Sequence, residues 1–138
     1  MLQPKRRKYR KEFRGRRRGL AQRGSTIAFG EFGIKALEVS WMSAAQIEAI
    51  RRTVTGNLKR KGRVWLRVFP DKPVTARAAG QRMGSGKGDI DRYVSVVKPG
   101  RIIIEVAGVP EDVAKLALRG ATYKMPFKSK IVTKGEIV

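Results

Sequence analysis

Apolar side chains recur at helical intervals in the segment that follows Ser43. With Gln46 three residues later, Ser43 has the spacing of a capping box, which marks a helix start. We therefore predict an amphipathic helix over about residues 43–60, with Arg52 and Lys59 on its outward flank. Gly56 lies inside this helix, where glycine is costly, and it predicts close packing or a kink. The apolar face consists of Ile47, Ile50, Val54 and Leu58.

Strict alternation over residues 63–69 predicts a strand with two different faces, and Pro70 ends it. One face is apolar and points to the core. The other alternates cations with aromatic rings, which suits phosphate contact and base stacking as well as a second packing layer. The core face holds Val64, Leu66 and Val68, and the mixed face holds Arg63, Trp65, Arg67 and Phe69.

Shorter apolar segments predict the remaining elements. Residues 27–42 contain short strands or an ordered loop, and strands at 93–97 and 101–106 flank a Pro-Gly pair typical of a type II turn, which predicts a hairpin. A second helix begins at Pro110, runs to about Tyr123 and has acidic residues in its first turn. A last strand follows at about residues 128–133.

This order of elements predicts an α+β fold in which two helices pack on a mixed or antiparallel sheet. A chain of 138 residues forms one domain with a real core. We divide it into a basic extended arm at residues 1–24 and a globular domain at 25–138. Residues 71–91 show no sustained periodicity and are predicted to form one long loop within that domain.

The charge narrows the possible functions. The chain carries 32 Lys and Arg against 11 Asp and Glu, a formal net charge of +21, and it has no Cys and no His. Thiol nucleophiles and zinc ribbons are thereby excluded, and the commonest metal ligand and proton shuttle is missing. We expect no enzyme, no cofactor, no metal and no homo-oligomer, but a polyanionic partner.

Residues 1–24 hold eleven of the 32 cations and a single acid, Glu12. With little apolar surface to bury, this arm is expected to be extended and to become ordered on an anion. Interleaved aromatic rings at Tyr9 and Phe13 can stack on bases, which favours nucleic acid over a solvated tail. The candidate binding residues are Lys5, Arg6, Arg7, Lys8, Tyr9, Arg10, Lys11, Arg14, Arg16, Arg17 and Arg18.

A glycine-rich basic segment lies within the predicted loop. A Walker loop would need Gly at position 81 and Ser or Thr at 88, where the chain has Gln81 and Gly88. The dinucleotide fingerprint also fails, because the third glycine comes one residue early and a strand follows. Unshielded N–H groups would instead let the backbone approach a phosphate or a ribose, although a merely flexible connection stays possible. The segment is Arg82, Met83, Gly84, Ser85, Gly86, Lys87 and Gly88.

Two other functions remain open at this point. An architectural DNA-binding protein would share the same charge, and a phosphate-binding enzyme would reveal itself by tight nucleotide binding with turnover. No apolar segment approaches the roughly 18 residues of a membrane span, so we expect no membrane partner.

Several of these motifs together resemble bacterial ribosomal protein L16 of the large subunit, the L16p/L10e family. The resemblance covers nearly the whole chain, and the tryptophan strand and the glycine loop are its most specific parts. Two departures affect local stacking and loop charge, Arg92-Tyr93 in place of two aromatic residues and Ser85 in place of a frequent Lys. The matching segments are residues 1–6, 29–36, 46–49, 59–60, 63–75, 82–88, 97–101, 108–111 and 124–128.

The resemblance implies an L16p/L10e-like α+β fold on 23S rRNA, beside neighbouring large-subunit proteins and the A-site tRNA. It implies that the loop matching residues 82–88 points toward the P-site tRNA and the peptidyl-transferase region. In some bacteria the arginine that matches Arg82 is hydroxylated. It also implies late joining in subunit assembly and a cytoplasmic bacterial ribosome, with an organelle ribosome left open. Besides the arm, the expected rRNA contacts are Arg52, Lys59, Arg60, Arg63, Trp65 and Arg67.

Overall fold

The described strands form two separate sheets. The computed structural model describes residues 2–84 and 86–135. Every strand pair in these ranges is antiparallel, so of the two predicted possibilities, a mixed or an antiparallel sheet, the antiparallel one is found. In chain order the elements are β1 Phe32–Ala36, β2 Ser40–Ser43, α1 Ala44–Asn57, β3 Arg63–Leu66, β4 Lys72–Ala76, β5 Asp89–Val97, β6 Ile102–Ala107, α2 Glu111–Thr122 and β7 Ser129–Thr133.

The four-stranded sheet has the order β3-β6-β1-β7, and the three-stranded sheet has the order β2-β5-β4. In the first sheet Ile34 of β1 lies opposite Ile104 of β6, and both are fully buried. Helix α1 contacts β2, β3 and β5, whereas α2 contacts β1 and β7 and packs on α1. The core therefore lies between the helix pair and the sheets, which confirms the predicted α+β class.

Helix α1 confirms the predicted helix and its start. Ser43 accepts a hydrogen bond from the Gln46 amide at 3.2 Å, and the Gln46 side chain accepts one from the Ser43 amide at 2.9 Å. The close packing expected at Gly56 is absent, because a Cβ there would meet nothing within 4 Å. The predicted apolar face is buried as expected, at Ile47, Ile50, Val54 and Leu58.

The predicted hairpin is wrong although its turn is present. Gly100 has φ +96°, and the Arg101 amide donates to the Lys98 carbonyl at 3.1 Å, as a type II turn requires. However, β5 pairs with β2 and β4, whereas β6 pairs with β1 and β3. The turn passes the chain from one sheet to the other. At the turn, the Ala36 amide donates to the Arg101 carbonyl, and the Gly100 amide donates to the Ala36 carbonyl.

Two predicted boundaries also shift. Strand β3 ends at Leu66 rather than at residue 69, although the Arg67 amide still donates to the Ile103 carbonyl at 2.9 Å. The predicted loop at 71–91 contains β4 and the first residues of β5, so the irregular segment between these strands is shorter than predicted, and its described residues are 77–84 and 86–88. Pro73 lies buried in β4, where periodicity gave no strand signal. Within the described ranges, neither helix has the length and apolar character that a membrane crossing requires.

Candidate nucleic-acid interface

The basic arm follows the side of the three-stranded sheet. Its described part, residues 2–24, contains neither helix nor strand. The Arg7 guanidinium donates to the Asp71 carbonyl just before β4. Farther along, the Ala21 amide donates to the Pro99 carbonyl, and the Gly24 carbonyl accepts from the Ile102 amide. The sequence predicted a free extended segment, and the structure shows one that lies against the body.

Backbone carbonyls and aromatic rings, rather than carboxylates, hold the arm in this position. Lys11 donates to the Lys87 carbonyl at 3.0 Å, and Lys87 donates in turn to the Glu12 carbonyl. Among the arm cations in the described ranges, only Arg7 has an acidic partner, the carboxylate of Glu12. The arm thus keeps nearly all of its charge available for an external anion. Its rings also face solvent, since Tyr9 is 66% and Phe13 is 93% exposed.

Three cations surround the ring of Trp41 in β2. The guanidinium carbon of Arg17 lies 4.1 Å from the ring centre, Lys72 Nζ lies 5.1 Å away, and the guanidinium carbon of Arg14 lies 6.0 Å away. Burial lowers the pKa of Lys72, and the nearby charges of Arg17 and Lys87 lower it further. Positive charge is therefore concentrated at this place on the sheet.

The glycine-rich loop is exposed and is organised by Arg77. The guanidinium of Arg77 donates to the carbonyls of Arg82, Gly84 and Gly86 at 3.3, 2.8 and 2.6 Å. Gly84 and Gly86 have φ values of +103° and +89°, which side-chain-bearing residues rarely adopt. The tip residue Met83 is 97% exposed. Ser85, also predicted as a site residue, lies outside the described residues.

The predicted site residues at the end of α1 form a second basic region. Lys59 and Arg60 are exposed with φ values of +53° and +62°, and Arg63 is exposed at the start of β3. Arg52 is 75% exposed and contacts Glu48 at 3.2 Å. A hydrogen bond from Arg51 is the main cause that lowers the pKa of Glu48 to about 2. No hydrogen bond or ion pair joins these residues directly to arm residues 5–18 within the described chain.

Arg67, also predicted to contact rRNA, has partners within the protein. Its guanidinium pairs with Glu105, which is fully buried in β6, and lies 5.1 Å from the centre of the Phe29 ring. Phe29 stacks on Trp65 with ring centres 6.2 Å apart and planes inclined by 24°. The cations and rings of this face are thus partly engaged with each other, while Phe29 remains 60% exposed.

Glu105 also fixes the backbone before β1. Its Oε1 atom accepts from the amides of Ala28, Phe29 and Gly30 at 2.9, 3.0 and 3.1 Å. Burial would raise the pKa of Glu105, but Arg67 and the three amides outweigh it and lower the pKa. The carboxylate is therefore charged, and it positions Phe29 on the surface.

Sequence reasoning missed four residues that shape this interface. Trp41 and Lys72 acquire their roles only where the arm crosses β2 and β4, and no local spacing indicates that crossing. From sequence alone, Arg77 is one more cation in an irregular segment, and Glu105 is a charged residue within an apolar strand. Groups of three or more potential metal ligands are absent from the described ranges.

Comparison with known proteins places these features in a family. The family model of ribosomal protein L16p/L10e matches residues 4–132. The large ribosomal subunit protein uL16c of Phaeodactylum tricornutum is 58% identical over 137 residues, which cover 99% of each chain. Proteins of the same name are 56% identical in Physcomitrium patens, covering 96% of each chain, and 56% identical in Trieres chinensis, covering 99% of this chain and all of the relative.

These matches confirm the resemblance drawn from the motifs, and they extend over both the arm and the globular part. A match of this extent also confirms that catalysis is not the role of this chain. The protein is a member of the ribosomal protein L16p/L10e family.

Proposed function

We propose that the chain is a structural constituent of the large ribosomal subunit and that it binds 23S rRNA by charge neutralisation and shape. The observation that carries the proposal is the arm, whose cations, apart from Arg7, have no carboxylate partner in the described residues. Such cations replace counterions where RNA strands approach each other, which lets segments pack that would otherwise repel. Membership of a ribosomal protein family supports this role.

The exposed loop supports the second part of the proposal, a position close to tRNA. The side chains of Arg82 and Met83 are exposed to solvent, and the Arg77 guanidinium donates to the backbone carbonyls of Arg82 and Gly84. We place this loop beside the A-site and P-site tRNA near the peptidyl-transferase region, as the family resemblance implies. Late joining in assembly and contact with neighbouring large-subunit proteins belong to the same proposal.

The names of the relatives bear on the kind of ribosome. All three are designated uL16c, the chloroplast form, which supports an organelle ribosome as the location of this chain. The sequence alone left that possibility open beside the bacterial cytoplasm.

Removing charge from the arm tests the proposed RNA binding. The triple variant Arg6→Gln, Lys8→Gln, Arg10→Gln removes three exposed cations that have no acidic partner. If each neutralises one phosphate, the slope of log affinity against log salt falls by about 2 to 3 for a large-subunit rRNA fragment. Filter binding over a range of salt concentrations measures this slope.

A control variant removes the same charge elsewhere. Arg119→Gln, Lys124→Gln, Lys128→Gln replaces three exposed cations in and beyond α2, and a smaller change of slope is expected. A slope unchanged from wild type in the arm variant would remove the arm from the interface. Competition by duplex DNA at matched salt distinguishes the architectural DNA-binding alternative, because an RNA-binding protein retains its RNA under that competition.

A further inference from the structure

A small pocket lies where the arm crosses the three-stranded sheet. It has a volume of about 120 Å³, and its wall is formed by both arm and sheet residues. Ligand pockets for whole small molecules typically measure about 300 to 1,000 Å³, so this pocket suits a single small group. The residues that line it include Arg14, Trp41, Lys72, Thr75 and Lys87.

The pocket is strongly positive and lacks an available acid. Glu12 is the one carboxylate residue that lines it, and its carboxylate is engaged by Arg7. Arg14, Arg17 and Lys72 have no carboxylate partner in the described part of the chain, although all three lie within 6.0 Å of one ring centre. Like charges this close repel each other, and a bound anion would reverse that cost.

The chemistry of the lining identifies the anion. Ammonium and guanidinium groups are the strongest phosphate donors in proteins, and the Thr75 hydroxyl adds a neutral donor type. Burial and the neighbouring cations lower the pKa of Lys72, and a bound anion would act in the opposite direction. A ring also lies beside these donors, so a base attached to the anion has a stacking surface.

We propose that this pocket binds one phosphodiester group of a single-stranded RNA segment, between the arm and β4, with Trp41 beside the adjoining base. The proposal rests on the proposed RNA binding and assigns a defined ligand group to one place on the interface. Lys72 already donates one hydrogen bond to the Arg14 carbonyl, which links the sheet to the arm. A phosphate held by Lys72 together with the Arg14 and Arg17 side chains would add a second link between the arm and the body.

The test uses the full chain and a single-stranded oligouridine of 12 nucleotides. Lys72→Met is compared with Lys124→Met, which removes one exposed cation beyond α2. We expect Lys72→Met to weaken binding about tenfold and to lower the salt slope by about 0.7, the value for one phosphate on a single strand. Lys124→Met should change both much less, and Lys72→Arg should restore most of the affinity because it keeps the charge.

The indole N–H signal of Trp41 provides a readout that is local to the pocket. The chain has two tryptophans, so its NMR spectrum has two indole N–H signals, and the one missing in Trp41→Phe belongs to Trp41. This signal should shift on addition of the RNA. Circular dichroism and thermal unfolding establish that each variant is folded.

Three results would overturn the proposal. The first is an equal loss of affinity in Lys72→Met and Lys124→Met, and the second is an unshifted Trp41 signal at saturating RNA. In these two cases the RNA still binds, so the proposed function stands without the pocket. The third is an equal Trp41 shift with inorganic phosphate at the same phosphate concentration, which would indicate a free-phosphate site. Absence of binding to the oligouridine alone would also overturn the pocket proposal, whereas absence of binding to the large-subunit rRNA fragment as well would contradict the proposed function.

Discussion

Glu105 joins three parts of the chain through one buried carboxylate. One oxygen holds the backbone at residues 28–30, and the other pairs with Arg67 after β3. A charge in this position is tolerable only because every donor around it is in place. From sequence alone, Glu105 reads as a break in an apolar strand, since its partners lie 38 or more residues away.

We expect Glu105→Gln to lower the free energy of unfolding by about 3 kcal/mol at pH 7, because it leaves Arg67 without its buried partner. The folded-state pKa of Glu105 is lowered, so its contribution is complete above the ordinary value of 4.5 and is lost as the pH falls through the folded value. The gap between wild type and variant should therefore shrink below pH 4.5. Urea unfolding from pH 3 to 7 measures it, and a gap independent of pH would contradict the assignment.

At the scale of elements, the sequence predicted those features that depend on interactions between residues close together in the chain. The capping box and the apolar spacing placed α1 correctly because a helix is closed by contacts within four residues. The turn at Pro99 and Gly100 was also correct, but the hairpin was not. Strand partners are set by distant segments, and here the Arg101 carbonyl accepts from the Ala36 amide rather than from a hairpin partner.

The loop at residues 77–88 owes its shape to one side chain. We expect Arg77→Ala to free the carbonyls of Gly84 and Gly86 and to increase backbone motion there, visible as a fall in the ¹H–¹⁵N heteronuclear NOE of both glycines. Arg77→Lys should recover only part of the order, because an ammonium group lacks the planar fork.

The matched control is Arg92→Ala, which removes an exposed arginine of β5 whose partner is the adjacent Asp91. It should leave the loop signals unchanged, and the midpoint of thermal unfolding should be nearly the same in both variants. Unchanged NOE values in Arg77→Ala would show that the loop keeps its shape without this side chain.

At the scale of the whole molecule, the part of the interface that follows from composition could be predicted. The arm, the exposed end of α1 and the basic loop are each visible as charge in the sequence. The pocket at Trp41 could not be predicted, because residues of the arm, β2 and β4 become neighbours only in the folded chain. The partner of Arg67 could not be predicted either, because Glu105 lies on a different strand 38 residues away.

The most direct measurement of the central claim is sedimentation with ribosomes. A net charge of +21, held largely without internal acidic partners, predicts stable residence on a polyanionic surface. After ribosomes are washed in high salt and separated on a sucrose gradient, the chain should sediment with the large subunit and be absent from the small one. Recovery of the chain as a free monomer at the top of the gradient, even at low salt, would contradict the account.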